Sequence, residues 1–312
     1  MYSEVIEPVV IYSGHRGSSD ERVAMRFAER LDRPDVLPLS SISSVVSTVD
    51  LTEGVLGVVP LEDSIHGEFT RVVWRLLFET KNALIADTIV LSERIWVQAL
   101  DPTRAPEVIH SHPALLEEYG DVINELGLEI AHSVNSHEAC QLVAAQGNPA
   151  HVALAPDVVA ARAGLVHHGL LESRFLDVHT RYALLGRDVG EPTPSTRTMA
   201  LICPLEDRVG TLANIIEVFR SNGINLTSLK SVDVGNDRPH HFLVEFHGHP
   251  VEPSVATSLL QLFGQDVMVK IVGVCGDDGI HLQKGTDRPV PGMLDGVDSY
   301  QAWIDLHCGV TA

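Results

Sequence analysis

The feature that most limits the fold of this chain is a repeated order of apolar strand, turn of small residues and helix. Residues 9–12 form a short apolar run that ends at such a turn, and residues 21–31 then carry apolar side chains at helical spacing. The same order recurs where the apolar run 54–60 precedes the helical run 70–78, and further units continue to residue 163. This alternation predicts mainly parallel sheets covered by helices, with ligands at the carboxyl ends of the strands.

The pattern changes after residues 186–195, a segment rich in glycine and proline that is typical of a linker. Beyond it the spacing predicts the order strand, helix, strand, strand, helix, strand. These elements cover residues 198–204, 211–221, 224–234, 240–247, 254–263 and 267–274. The βαββαβ order is the ferredoxin-like plan, a small sheet with both helices on one face. We therefore expect one domain at 1–188, a second at 196–276 and a C-terminal tail at 277–312.

The charge balance excludes one class of partner. Lys and Arg number 22 against 42 Asp and Glu, which gives a net charge of −20. Binding to nucleic acid or to an anionic membrane depends on clustered positive charge, so we expect neither as a partner. No apolar run approaches the ~18 residues of a membrane span, and the first residues do not resemble a signal peptide. We expect a cytoplasmic protein.

Neither the cysteines nor the histidines show the spacing of a metal site. The four cysteines stand far apart without a Cys-x-x-Cys pair, and no pair of histidines has the His-Glu-x-x-His arrangement. We therefore expect buried, reduced thiols and no metal or other cofactor.

Four segments resemble motifs of the prephenate dehydratase family and follow one another in that family's order. They are Tyr-Ser-Gly-His-Arg-Gly-Ser at 12–18, Gly-Val-Val-Pro-Leu-Glu-Asp-Ser-Ile-His-Gly at 57–67, Ser-His-Pro at 111–113 and Thr-Arg-Tyr-Ala-Leu-Leu-Gly at 180–186. Behind them, residues 205–213 and the segment Gly-Ile-Asn-Leu-Thr at 223–227 resemble the ACT regulatory module. Each motif is short, but four in one order before an ACT-like domain make a specific signal.

The resemblance implies both a fold and an activity. The fold is an α/β catalytic region of two lobes, like a periplasmic binding protein, with the second lobe at about 88–166 and a ferredoxin-like ACT domain behind it. The activity is that of a carbon–oxygen lyase in phenylalanine biosynthesis, which converts prephenate to phenylpyruvate, water and carbon dioxide. Such enzymes are usually homodimers or homotetramers, with the active site in the cleft between the lobes.

The resemblance also assigns roles at the site. The threonine of the Thr-Arg motif, here Thr180, donates a hydrogen bond to the departing hydroxyl group. Arg181 then holds a substrate carboxylate or orients Thr180. Prephenate is a dianion, and backbone amides at helix starts can bind it without net charge. Candidate substrate-binding residues besides Arg181 are Gly17, Ser18, Ser64, Ile65 and His112.

The chain departs from the family pattern at two carboxylates. Asp20 stands where the family has a hydroxyl residue, and Asp63 replaces the asparagine of a Glu-Asn-Ser element. A carboxylate near a dianion is repulsive unless it is protonated, paired or turned away, so we count both among the catalytic candidates. Either could protonate the ring in a non-aromatising prephenate decarboxylase, which is one alternative. Another is a sensor without catalytic activity that binds an aromatic precursor.

The ACT-like segment predicts an amino-acid effector site. Its candidate residues are Gly210, Leu212, Asn225, Leu226 and Ser231. Family members that sense phenylalanine carry Glu-Ser-Arg-Pro here, whereas this chain has Lys230-Ser231-Val232-Asp233. The reversed charge at Lys230 and the missing arginine leave open whether phenylalanine binds, or whether the domain serves mainly for dimerisation.

Overall fold

The computed structural model describes residues 9–33, 35–65, 69–171, 174–206, 208–232 and 241–276. The predicted tail at 277–312 lies outside the described residues, as does Cys308. The other three cysteines are buried and reduced. No helix in the described ranges is long and apolar enough to cross a membrane.

The first lobe alternates strands and helices as the spacing predicts, with one additional unit. Its elements are β1 (Val9–Ser13), α1 (Ser19–Arg30), β2 (Asp35–Leu39), α2 (Ile42–Leu51), β3 (Leu56–Asp63) and α3 (Phe69–Glu79). Strand β1 lies between β2 and β3 and pairs with both in parallel. Helix α1 begins at Ser19 because the hydroxyl of Ser18 accepts the Glu21 amide at 3.2 Å, and it buries Val23 and Phe27 against the sheet.

Two long antiparallel strands join the first lobe to the second. They are β4 (Leu84–Ala99) and β9 (Phe175–Gly186), which pair from Leu84↔Gly186 to Trp96↔Phe175. Strand β9 also runs antiparallel to β3. The sheet of the first lobe is therefore mixed where the sequence predicted mainly parallel pairing, because the chain must return from the second lobe before the catalytic region ends.

The second lobe is built between these two strands. Its elements are β5 (Val108–Ser111), α4 (Pro113–Glu118), α5 (Gly120–Leu126), β6 (Glu129–His132), α6 (Ser136–Gln146), β7 (His151–Ala155), α7 (Asp157–Arg162), β8 (Val166–His167) and a 3₁₀ turn (Gly169–Leu171). Strand β5 pairs in parallel with β6 and β7, and the far end of β4 completes this sheet beside β7.

The C-terminal part has the predicted βαββαβ order. Its elements are β10 (Arg197–Pro204), α8 (Thr211–Ser221), β11 (Leu226–Val232), β12 (His241–His247), α9 (Pro253–Phe263) and β13 (Val267–Cys275). The strand order β11-β12-β10-β13 is antiparallel throughout, as in a ferredoxin-like sheet. Both helices pack on one face of the sheet around Phe219, Phe246 and Leu259.

The other face of the ferredoxin-like sheet packs on the first lobe. Met199, Leu201 and Leu243 share a buried cluster with Leu61 and Trp74. The two sheets are also continuous, because β13 pairs with β4 at Gly273↔Ile85. A Cβ at Gly273 would lie 2.8 Å from the Ile85 Cβ, so only glycine permits this close approach.

Candidate active site

A cavity of about 460 Å³ opens between the two lobes. It lies where β1, β3 and β7 end, which is the position the predicted strand pattern favours. The first lobe lines it with Ser18, Asp20, Asp63 and Thr180 among others, and the second lobe with residues 135–137 at the start of α6. All three residues predicted to be catalytic therefore line one cavity.

Asp63 and Thr180 are brought together by strand pairing. They are register partners on β3 and β9, and directly opposite residues of an antiparallel pair have neighbouring side chains on one face of the sheet. Asp63 is only 8% exposed, and its Oδ1 accepts the backbone N–H of Ile65 at 2.7 Å. One oxygen of the Asp63 carboxylate is thus engaged by the backbone two residues further along the chain.

Arg181 lies on the opposite side of the same strand and does not line the cavity. Its guanidinium group donates to Glu245 Oε1 at 2.9 Å and lies 3.6 Å from Glu62. The side chains of Arg181 and Glu245 are 6% and 5% exposed. This placement does not support the expectation that Arg181 holds a substrate carboxylate, because consecutive residues of a strand point to opposite faces and Thr180 occupies the cavity face.

Charged side chains behind the cavity, some of them buried, connect the catalytic strands to the ferredoxin-like domain. Glu62, which precedes Asp63 on β3, forms an ion pair with Lys230 on β11. Arg197 on β10 lies 4.0 Å from Glu245, the residue on β12 that pairs with Arg181. We call Glu62, Arg181, Arg197, Lys230 and Glu245 the interdomain charge network. The lysine that replaces the family's glutamate at position 230 thus has an acidic partner, Glu62, within the chain.

Asp20 lines the cavity from the first turn of α1. Burial raises the pKa of its carboxyl group to about 6; the nearby charge of Glu93 adds to this, and a hydrogen bond from the Ser13 hydroxyl at 3.2 Å opposes it. Glu93 also lines the cavity, but Arg22 pairs with it at 2.8 Å. Asp20 is therefore a carboxyl group that exchanges its proton close to neutral pH.

The backbone amides of Gly17 and Ser18 are occupied within the protein. Gly17 donates to Glu21 Oε2 at 2.6 Å, and Ser18 donates to the carbonyl oxygen of His15 at 3.2 Å. These hydrogen bonds compete with the binding of a substrate anion, and the substrate-binding role of Gly17 and Ser18 stays a prediction. Gly17 has φ +92° and lies so close to Arg162 of the second lobe that a Cβ would meet its guanidinium group. Ser18 lines the cavity and caps α1.

The amides of Ser64 and Ile65 are occupied as well. Ser64 donates to the carbonyl oxygen of His179 at 2.9 Å and its hydroxyl accepts the His179 amide at 3.1 Å, so it extends the pairing of β3 with β9. The Ile65 amide is held by Asp63. These hydrogen bonds likewise compete with the binding of a substrate anion, and the substrate-binding role of Ser64 and Ile65 stays a prediction. Ile65 lines the cavity, whereas Ser64 does not.

His112 does not line the cavity either. It precedes α4 as its N-cap, and its Nδ1 accepts the Ala114 amide at 3.3 Å. This placement does not support a substrate contact, and the role of His112 stays a prediction. The Ser-His-Pro sequence has a local structural reason, since proline at the first helical position and an acceptor before it both favour a helix start.

The predicted effector residues lie on the ferredoxin-like domain around the start of α8 and along β11. Gly210, with φ +93°, precedes α8, and a depression of about 290 Å³ lies beside it. Arg208, Val209 and Thr211 line this depression; none of Gly210, Leu212, Asn225, Leu226 and Ser231 does. Asn225 accepts the His247 amide through its carbonyl oxygen at 3.1 Å. The effector role of these five residues stays a prediction.

Sequence reasoning missed several residues of the cavity wall, among them Glu93, His15 and His137. His15 was visible in the first motif, in a turn directly after a strand. The signal for His137 is the segment Asn-Ser-His-Glu, because Asn135 caps α6 by accepting the Glu138 amide at 2.9 Å. A helix start that follows a strand marks a position at the cleft.

The fold and the cavity define an α/β protein of two lobes, like a periplasmic binding protein, that carries a ferredoxin-like domain. The model of the prephenate dehydratase family matches residues 10–189. The chain belongs to this family, and the fold predicted from its sequence is confirmed.

Three known proteins illustrate the relationship. A prephenate dehydratase of Amycolatopsis methanolica is 25% identical over 265 residues, which cover 81% of this chain and 83% of that protein. A bifunctional chorismate mutase/prephenate dehydratase of Aquifex aeolicus is 24% identical over 246 residues; the match covers 76% of this chain but only 65% of the longer relative. The solved structure of a prephenate dehydratase from Arthrobacter aurescens in complex with L-Phe superposes with a TM-score of 0.71 at 18% identity, over 96% of this chain and 99% of that one.

Proposed function

We propose that this protein is a prephenate dehydratase whose reaction takes place in the cavity between the lobes. The observation that carries the proposal is the pairing of Asp63 with Thr180 on adjacent strands, both at a cavity that Asp20 also lines. Membership of the family supports the choice of substrate.

The reaction requires one proton for each substrate molecule. The ring carboxylate leaves as carbon dioxide, and the electron pair of the broken carbon–carbon bond enters the ring as the opposite carbon–oxygen bond breaks. The dianion and one proton thus give the phenylpyruvate monoanion, carbon dioxide and water. The hydroxyl of Thr180 donates a hydrogen bond that strengthens as charge develops on the departing oxygen. Asp20 supplies the proton, because its pKa of about 6 keeps part of it protonated near neutral pH.

The cavity wall favours loss of the ring carboxylate. Apolar side chains from both lobes cover much of it, among them Ile65, Ile95, Leu115, Val159 and Val178. A carboxylate that is poorly solvated is less stable relative to carbon dioxide than one in water. In the part of the chain that the structure describes, no lysine or arginine lines this cavity, so the departing carboxylate meets no fixed cation that would hold it back.

We assign Arg181 the role of a positioning residue. It follows Thr180 directly on β9 and is anchored from behind by Glu245. The anchor restrains the strand that presents the Thr180 hydroxyl, and this agrees with the second of the two roles that the resemblance allows.

A proton NMR spectrum after incubation with prephenate tests the proposed reaction. Aromatic signals of phenylpyruvate are expected. Ring methine and vinyl signals that persist while carbon dioxide is released would instead identify the decarboxylase alternative, and binding without turnover would identify the sensor. A parallel sample without protein corrects for spontaneous conversion of prephenate.

We also expect that phenylalanine does not inhibit this protein. A carboxylate at position 230 could pair with the ammonium group of an amino acid, whereas Lys230 repels it and is already paired with Glu62. The rate with millimolar phenylalanine should stay within twofold of the rate without it. Inhibition by tenfold would contradict this assignment.

The homodimer or homotetramer stays a prediction, which sedimentation can test. The cytoplasmic location also stays a prediction, which cell fractionation can test.

A further inference from the structure

The described residues that line the cavity leave a dianionic substrate short of positive charge. Asp20, Asp63 and Glu93 are the acidic members, and none of the lining residues is lysine or arginine. Arg22 compensates Glu93 from outside the cavity. The lining side chains that can become cationic near neutral pH are His15 and His137.

These two histidines come from opposite lobes and touch across the cleft. His15 lies in the turn between β1 and α1, and His137 lies in the first turn of α6. Their ring centroids are 4.1 Å apart, with the ring planes at 44°. Nε2 of His15 is buried and has no hydrogen-bond partner among the residues that the structure describes. A buried ring nitrogen without a partner is costly, so it favours a ligand that supplies one.

The surroundings disfavour a positive charge on His15 until an anion arrives. Burial lowers the pKa of His15, and the adjacent His137 lowers it further. Glu21 and Arg162 also face His15 with opposite effects on its pKa, and they lie 4.0 Å from each other. A carboxylate beside the imidazoles would reverse the balance, because a nearby negative charge favours the protonated ring.

We propose that His15 and His137 together hold one carboxylate of a dicarboxylate substrate and take up a proton when that substrate binds. The proposal rests on the proposed function only for the identity of the dicarboxylate as prephenate. The carboxylate concerned is the one on the side chain, which survives the reaction. An ion pair with the departing ring carboxylate would stabilise the ground state and slow its loss.

Contact with a carboxylate that survives contributes equally to the ground state and the transition state. The pair should therefore affect KM far more than kcat. Protonated imidazole is favoured below the pKa of the complex, so KM should be low at pH 6 and rise through neutrality as the proton is lost. The pH dependence of KM therefore reports on the histidines, whereas protonation of Asp20 affects kcat.

Initial rates from pH 5.5 to 8.5 test the proposal on the wild type, His15→Gln and the control His132→Gln, which alters an exposed histidine on β6 of the second lobe. At pH 6 we expect the KM of His15→Gln to be at least about tenfold above that of the wild type, as for the loss of a charge-assisted hydrogen bond. Its KM should no longer vary with pH, its kcat should stay within threefold, and His132→Gln should follow the wild type. A KM profile for His15→Gln that coincides with the wild type would overturn the proposal.

Two further measurements distinguish the histidine pair from Asp20 and from the dehydratase reaction itself. Asp20→Asn should keep the rise of KM with pH; if that rise disappears in Asp20→Asn and persists in His15→Gln, Asp20 carries it and the proposal fails. The C2–H signals of His15 and His137 in proton NMR should report a raised pKa when prephenate is added. A raised histidine pKa without turnover would support the histidine pair and overturn the dehydratase reaction. Turnover without a raised histidine pKa would support the dehydratase reaction and overturn the role of the histidine pair. If prephenate is neither bound nor converted, the histidine proposal and the dehydratase proposal are both overturned.

Discussion

Replacing Glu245 by glutamine removes the charge that anchors Arg181 behind the cavity. The two side chains are 5% and 6% exposed and 2.9 Å apart, so the guanidinium group would remain buried without this carboxylate. Loss of one partner of a buried pair costs about 3–5 kcal/mol. Arg181 keeps Glu62 at 3.6 Å and the new amide can still accept a hydrogen bond, so we expect a loss of about 2–3 kcal/mol and a fall in Tm of roughly 3–5 °C.

Urea unfolding followed by circular dichroism measures this loss. The matched control is Glu217→Gln, which removes the same charge from the exposed pair of Glu217 and Arg220 on α8. Solvent screens that pair, so this variant should unfold like the wild type. Equal midpoints for Glu245→Gln and Glu217→Gln would refute the assignment of a buried network.

The same variant separates positioning from binding. If the network holds β9 in place, Glu245→Gln should lower kcat at least about fivefold at a temperature where it is fully folded, with KM within twofold of the wild type. A parallel rise in KM would indicate a general loosening of the cavity. An unchanged kcat would remove Arg181 from any role at Thr180.

Three further outcomes follow from the geometry. Thr180→Val should lower kcat by about a hundredfold with a small effect on KM, since the lost hydrogen bond acts on the departing oxygen; steady-state rates on prephenate that match the wild type would exclude it from the reaction. The folded state raises the pKa of Asp20 to about 6, so its ionisation destabilises the fold above that pH and the cost vanishes below about pH 4. Asp20→Asn should therefore be about 1–3 kcal/mol more stable than the wild type at pH 8 and equal to it near pH 4 in urea titrations, and a constant difference would disprove the shift. Gly273→Ala should cost about 1–3 kcal/mol because its Cβ would lie 2.8 Å from the Ile85 Cβ, whereas Gly276→Ala, with open space around it, should be neutral by the same assay; equal costs would show that β13 does not depend on this approach.

The elements that the sequence left unpredicted are those whose stability comes from other parts of the chain. Helix α2 is rich in serine and valine, which favour turns or strands, but Ser41 caps it and Val45 and Val49 are buried against the sheet. Strand β4 contains charged residues such as Glu93 and Arg94, so it lacks a continuous apolar pattern. It forms because β9 pairs with it along most of its length.

The sequence alone determined the alternating α/β plan, the βαββαβ order of the C-terminal part, the family and the residues Asp20, Asp63 and Thr180 that meet at one cavity. Those follow from local periodicity and from short motifs at strand ends. Tertiary structure decided which partner each polar group finds. The alternation of side chains along a strand is enough to separate Thr180 from Arg181, but only the fold brings Glu245 from another domain to Arg181, because pairing between distant strands is set by long-range packing.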